Sequence, residues 1–129
     1  MHRVLLAEDN KLNQIVAAGT LQKLGYEVEI VDGGLDAVEA CRHSDFDAIL
    51  MDVMMPDMDG YQATAEIRSL ESLRGGPHTP VIGLSARAMD GDREIALAAG
   101  FNDYLTKPLR EDELRDSLAR WIGAPVVLR

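Results

Sequence analysis

The sequence predicts a doubly wound parallel α/β sheet, with five strands and five helices alternating along one chain. Three observations carry that expectation. Short apolar runs without polar alternation recur along the chain, as in strands buried on both faces. Stretches with helical spacing separate them, and parallel strands need such crossovers. Four of the five runs end in polar or charged residues, at the strand edge where open α/β sheets bind ligands. The 129 residues, 47% of them hydrophobic, suit a single compact domain over 1–129 with one core and no disorder by default.

The first strand, Arg3 to Glu8, centres on Val4-Leu5-Leu6-Ala7 and runs into Glu8-Asp9-Asn10. Asn10 is suited to cap the next helix. The apolar positions of that helix, Leu12, Ile15, Val16, Gly19 and Leu24, predict its buried face, and Gly25 stops it. Glu27 to Val31 is the second strand, with Val28 and Ile30 on one face and Val31 turned inward. Asp32-Gly33-Gly34 breaks it before a helix from about Leu35 to Ser44. Ala48 to Asp52 is the central strand, four apolar residues ending in a carboxylate. A turn through Pro56 to Gly60 follows, then a helix from Tyr61 to about Leu70. Gly75, Gly76, Pro77 and Pro80 make an irregular loop ahead of the fourth strand, Val81 to Ser85. An Ala-rich helix, Ala88 to Ala99, is closed by Gly100. Asp103 to Thr106 is a short fifth strand entering Lys107-Pro108. The last helix carries Leu114, Leu118, Trp121 and Ile122 and ends at Gly123; the tail, residues 124–129, is left open between docking and fraying. Right-handed crossovers restrict such a chain to few topologies, the commonest being a flavodoxin-like (βα)5 sheet with helices on both faces.

Charge narrows the function. Thirteen Lys and Arg stand against 22 Asp and Glu, a formal charge of −9. A domain so acidic does not grip nucleic acid by itself, because phosphate backbones need a cationic face. The apolar runs are too short to span a bilayer and no leader opens the sequence, so a cytoplasmic domain that does not itself engage a membrane is expected. Cys41 has no partner for a disulfide and sits in a helical apolar pattern with Ala37 and Val38, as a packed thiol does. His2, His43 and His78 fit no metal or triad spacing and read as surface residues.

The predicted sheet gathers polar residues on one rim: Glu8 and Asp9 after the first strand, Asp52 after the third, Ser85 after the fourth and Lys107 after the fifth. Three carboxylates in one cleft repel unless a cation joins them. Carboxylate, carbonyl and water oxygens suit Mg²⁺, and Mg²⁺ plus Lys107 balances the three acids. Such a site fits phosphoryl transfer, with Asp52 the best-placed nucleophile and Ser85 and Lys107 as ligands of phosphoryl oxygens.

At these residues the sequence resembles the receiver domains of two-component response regulators. The resemblance rests on Glu8-Asp9, on Asp52 before Met55-Pro56-Asp57-Met58-Asp59-Gly60, on Ser85, on Tyr104 and on Lys107-Pro108, all in family order and spacing. It implies that Asp52 accepts a phosphoryl group from a partner's phosphohistidine. It implies Mg²⁺ ligation by Asp9, Asp52 and the Met54 backbone carbonyl, with Glu8 acting through a bound water. Ser85 and Tyr104 become a switch pair, the ring swinging inward on activation, and Lys107-Pro108 a cis peptide. Asn10, Asn13 and Gln14, with Ala86 to Asp92 and Ala98-Ala99-Gly100, further resemble receivers fused to hybrid sensor kinases. The implied partners are a histidine kinase or a histidine-containing phosphotransfer domain, and the rest of a hybrid kinase chain. Ser85 stands where Thr is commoner in the family, which should loosen its coupling to Tyr104. Met54 and Arg87 flank the site; Met54 offers no hydrogen bond to an attacking water, whereas Arg87 is long enough to reach the phosphoryl group.

Three other readings compete. A haloacid-dehalogenase-like phosphohydrolase also uses an aspartyl nucleophile and Mg²⁺, but needs a second acid two residues on, where Met54 stands. A flavodoxin-like cofactor domain needs a Gly-rich phosphate loop after the first strand, where Glu8-Asp9-Asn10 is acidic. An EF-hand loop through Asp57-x-Asp59-Gly60 fails because its first ligand falls on Met55.

Overall fold

The computed structural model describes residues 2–76, 78–86 and 89–123. Five strands, β1 (Arg3–Ala7), β2 (Glu27–Val31), β3 (Ala48–Asp52), β4 (Val81–Ser85) and β5 (Asp103–Thr106), alternate with five helices. These are α1 (Lys11–Lys23), α2 (Gly34–His43), α3 (Gly60–Arg74), α4 (Asp92–Ala98) and α5 (Glu111–Ile122). All pairings are parallel, in the order β2-β1-β3-β4-β5. The expected flavodoxin-like sheet is therefore the observed one. Its helices bury two apolar layers. One holds Leu5, Ile49, Met51 and Val81 with Val38, Ile67 and Phe101; the other holds Val4, Leu6, Leu50 and Ile82 with Leu21, Leu114 and Leu118. None of the described helices is long and apolar enough to cross a membrane.

β3 and β4 are buried throughout, as central strands with helices on both faces must be. β2 is not: it is an edge strand with Glu27 and Ile30 exposed, so the expectation of burial on both faces fails there. Its acids pair outward with Arg3, through Glu29 at 3.0 Å and Glu27 at 3.9 Å. A charged edge of this kind also discourages strand addition.

The larger correction is α1. Its caps are as expected, with the Asn10 side chain accepting from the Asn13 N–H. Its predicted apolar face is instead outside, with Leu12 69%, Ile15 70% and Val16 53% exposed. The buried face is Gln14, Ala17, Ala18 and Leu21. Two alanines let the helix lie close to the sheet, so the large side chains took the solvent face. The reason for Gln14 lies at the functional site.

Boundaries moved less. α3 runs one turn past Leu70, to Arg74, because Arg74 donates to the carbonyls of Cys41 and Arg42 and Gly75 closes it at φ 65°. α4 begins at Asp92; the expected start at Ala88 lies outside the described residues, as do Pro77, Arg87 and the tail 124–129. Cys41 is half-buried beside Glu71 and Arg74, and burial, with lesser effects from neighbouring charges, pushes its thiol up to about 11. That is the inert thiol expected. His43 and His78 are exposed, whereas His2 is half-buried against the Tyr26 ring.

Candidate functional site

In a parallel sheet all strand ends of one sense share a rim, and register decides how closely they meet. Ala7 pairs with Met51, Asp52 with Leu84 and Ser85 with Thr106. The residues at or just after these positions are Glu8, Asp9, Asp52, Ser85 and Lys107. The rim therefore brings together every residue the sequence placed on it.

The centre is Lys107. Its Nζ donates to Glu8 Oε1 at 2.6 Å and to Asp52 Oδ2 at 2.9 Å, reaching from the end of β5 past β4 to the ends of the adjacent strands β3 and β1. Both carboxylates are buried, while Asp9 is exposed. Carboxylate oxygens of Glu8, Asp9 and Asp52 lie within 4.8 Å of one another. Burial pulls the Lys107 ammonium down, but hydrogen bonds from it to Glu8 and Asp52 and their charges outweigh that, and its pKa is raised. Among the described residues, one fixed positive charge thus faces three carboxylates. An all-oxygen donor set with a surplus of negative charge and an open, water-facing side fits a hard divalent cation such as Mg²⁺.

The remaining polar groups are held by backbone. Asp52 Oδ1 accepts from the Met54 N–H at 3.2 Å, which puts the Met54 main chain at the site while its side chain faces solvent. Glu8 is fixed at four points. Its N–H donates to the Val31 carbonyl, its own carbonyl accepts from Gln14, and its carboxylate accepts from Lys107 and from the Asn10 N–H. Each Glu8 carboxylate oxygen thus already accepts one hydrogen bond. Lys107-Pro108 is cis, and the Lys107 N–H donates to the Ser85 carbonyl at 2.7 Å.

The turn after β3 explains its glycine. A Cβ on Gly60 would overlap the Asp52 carbonyl oxygen and approach Val53 Cα at 2.8 Å, so only glycine lets α3 start against the back of Asp52. Asp59 then caps α3 in a reciprocal box with Gln62, and Asp57 takes φ 69° to turn the chain. These acids shape the turn rather than bind an ion.

Ser85 and Tyr104, the expected switch pair, are both buried. Ser85 is buried at the rim. Tyr104 is already only 8% exposed, its ring against the space left by Gly83, whose added Cβ would meet it at 3.3 Å. The Tyr104 ring is thus already buried in this structure. Arg87 lies outside the described residues.

Sequence reasoning missed three groups. Gln14 is one. Asp103 is another: this buried carboxylate on β5 accepts from Ser117 at 2.6 Å and Trp121 at 3.3 Å and pairs with Arg93 at 2.9 Å and Arg120 at 3.3 Å. Arg68 is the third. Held by Glu71 on the same helix, it ties α3 to the carbonyls of Thr79 and Gly100 and to Asn102 at the opposite end of the sheet. Gln14 stands out in the sequence only through the Asn13-Gln14 pair, without a role; Asp103 and Arg68 show no signal beyond a polar residue within an otherwise apolar or amphipathic element.

The family model for the response regulator receiver domain matches residues 4–119. The sensor protein GacS of Pseudomonas syringae pv. syringae is 42% identical over 121 residues, covering 94% of this chain. The histidine-protein kinase BarA of Escherichia coli K12 is 41% identical and covers 92%. The chain spans only 13% and 12% of those two proteins. Among solved structures, the receiver domain of sensor histidine kinase PA1611 from Pseudomonas aeruginosa PAO1, with magnesium coordinated in its active site cleft, is 48% identical. Its TM-score is 0.85, over 95% of this chain and 98% of that one. The receiver domain of Saccharomyces cerevisiae Ssk1, in complex with the histidine phosphotransfer protein Ypd1, is 29% identical with TM-score 0.87, over 94% and 88%.

Proposed function

Because the chain belongs to the response regulator receiver domain family, we propose that it is a phosphoacceptor signalling module whose Asp52 takes a phosphoryl group from a partner's phosphohistidine. The observation that carries this reading is the Lys107 ammonium held between Asp52 and Glu8, with Asp9 beside them. A carboxylate oxygen of Asp52 forms the new O–P bond as the N–P bond of the phosphohistidine breaks, and the departing imidazole keeps the electron pair. Asp9, Asp52 and the Met54 carbonyl, with Glu8 acting through a water, would hold Mg²⁺, which would supply charge neutralisation to the phosphoryl oxygens. Lys107 and the Ser85 hydroxyl bind those oxygens, which shifts the balance between two arrangements of the domain. The module assists its own phosphorylation and dephosphorylation and turns over no separate substrate. A haloacid-dehalogenase-like activity has no support: no acid stands two residues after Asp52, and the Met54 side chain there points to solvent.

The donor is a histidine kinase or a histidine-containing phosphotransfer domain, consistent with relatives that are long kinases and with the Ssk1–Ypd1 pair. The solvent face of α1 supports a docking place for it. Leu12 and Val16 border a groove with Pro108 and Leu109 directly beside Glu8 and Lys107, and Ile15 extends this apolar surface. Exposed apolar surface at the mouth of a charged site marks an interaction face. We read residues 1–129 as one receiver module of a longer hybrid kinase, working in the cytoplasm.

Intact-mass analysis after acetyl phosphate and Mg²⁺ tests the reading. The wild-type chain gains one phosphoryl group, and Asp52→Asn gains none. An equal gain in Asp52→Asn removes Asp52 as the acceptor.

A further inference from the structure

Gln14 is a buried amide on a helix face otherwise made of Ala17, Ala18 and Leu21, only 6% exposed. An amide there is costly unless both its hydrogens are used. They are. Gln14 Nε2 donates to the Glu8 carbonyl at 2.6 Å and to Asp32 Oδ1 at 2.7 Å, so one side chain ties the loop after β1 to the loop after β2. Asp32 is anchored in turn by Lys11 at 3.1 Å.

The Glu8 carbonyl lies in the planar peptide unit that joins Glu8 to Asp9. Holding that oxygen fixes the plane, and the plane sets where the Asp9 side chain departs. The preceding peptide is held by the Glu8 N–H on Val31. Asp9 itself has no side-chain hydrogen bond or ion pair among the described residues, so nothing but its backbone aims it at Asp52. We propose that Gln14 is a positioning residue of the metal site, acting through the Glu8–Asp9 peptide to hold the exposed Asp9 carboxylate in place for the cation. This rests on the Mg²⁺ reading above. It also accounts for Gln14 in the sequence, which reaches back past the α1 cap to the acidic turn.

The test is Mg²⁺ titration by calorimetry of the wild-type chain, Gln14→Met and Ala18→Gly. Gln14→Met keeps volume and helix propensity but loses both donors. Ala18→Gly weakens the same helix without touching the turn. Removing a partner that orients a metal ligand typically weakens metal affinity 10- to 100-fold, and Gln14→Met is expected to lose about tenfold in Kd. Ala18→Gly should unfold at lower temperature with Kd unchanged. Gln14→Met binding within twofold of wild type overturns the proposal, as does an equal loss in Ala18→Gly, which would reduce Gln14 to a packing role. A wild-type chain that takes up no Mg²⁺ overturns the metal reading itself. Should Gln14→Met not fold, the wild-type chain still decides: the Gln14 side-chain amide resonance shifts on Mg²⁺ saturation while that of exposed Gln22 does not. A Gln14 resonance that stays put refutes the coupling.

Discussion

β5 and the loop that leaves it reach two buried carboxylate centres of opposite character. Asp103 opens the strand and sits among Ser117, Trp121, Arg93, Arg120 and the Tyr104 N–H, more donors and charge than one carboxylate needs. Four residues on, Lys107 faces two buried carboxylates and a third nearby with a single ammonium. The first centre is closed: it joins α4 and α5 to the sheet and leaves no charge to satisfy. The second is left short of positive charge at an open rim. Burying acids without full compensation weakens a fold, so a deficit of this kind marks a site that something else completes. Acidity alone would not separate the two; the local balance does.

The largest effect expected from breaking the comparison is on stability at Asp103. Asp103→Ala should cost about 3 kcal/mol, since it leaves the buried Ser117 hydroxyl without its acceptor and removes the partner shared by Arg93 and Arg120. Urea unfolding measures this, and Mg²⁺ affinity should not change. The same carboxylate gives a pH signature. Burial pushes it up, but hydrogen bonds from Ser117, the Tyr104 N–H and Trp121, with the Arg93 charge, hold it below the usual carboxylate range. Its stabilisation is therefore complete above the unfolded value of about 3.9 and is lost as pH falls through the lower folded value. Asp103→Asn should flatten that acid limb of the stability curve.

Gly60→Ala should touch both properties at once, with a smaller cost. The added methyl overlaps the Asp52 carbonyl, and accommodating it costs about 1–3 kcal/mol. Because the displaced backbone carries Asp52, phosphoryl uptake from acetyl phosphate should slow as stability falls. A variant that loses stability but phosphorylates at the wild-type rate would separate the turn from the site.

The smallest effect in energy is the sharpest in sign. Lys107→Met removes the one positive charge that the described residues place at the open centre. A neighbouring unit charge is worth about 1 kcal/mol even in water-like surroundings, so Mg²⁺ should bind roughly fivefold tighter, read by calorimetry. Weaker Mg²⁺ binding would mean that the lysine organises the carboxylates rather than competing with the cation.

The same contrast governs what was legible from sequence. The open centre was readable because its members sit at strand ends, where apolar runs break into Glu8-Asp9, Asp52, Ser85 and Lys107. The closed centre was not, because Asp103 opens a strand and its partners lie in other elements. In the fold, Ile49 and Ile82 announced buried strands correctly. Leu12, Ile15 and Val16 misdirected the reading of α1, since helical spacing shows that an apolar face exists but not which surface it meets. Small residues, Ala17 and Ala18, took the core instead, and the apolar face borders the site. Tyr104 could be placed on β5 but not in its rotamer, because the space that receives its ring depends on Gly83 in the neighbouring strand.

Mg²⁺ titration of the wild-type chain beside Asp9→Asn, Asp52→Asn and Asp103→Asn bears most directly on the claim that a charge deficit marks the site. Asp9→Asn and Asp52→Asn should each lose at least tenfold in affinity, and Asp103→Asn, equally acidic in the parent, should bind as wild type does. Unchanged affinity in Asp9→Asn, or an equal loss in Asp103→Asn, would contradict it.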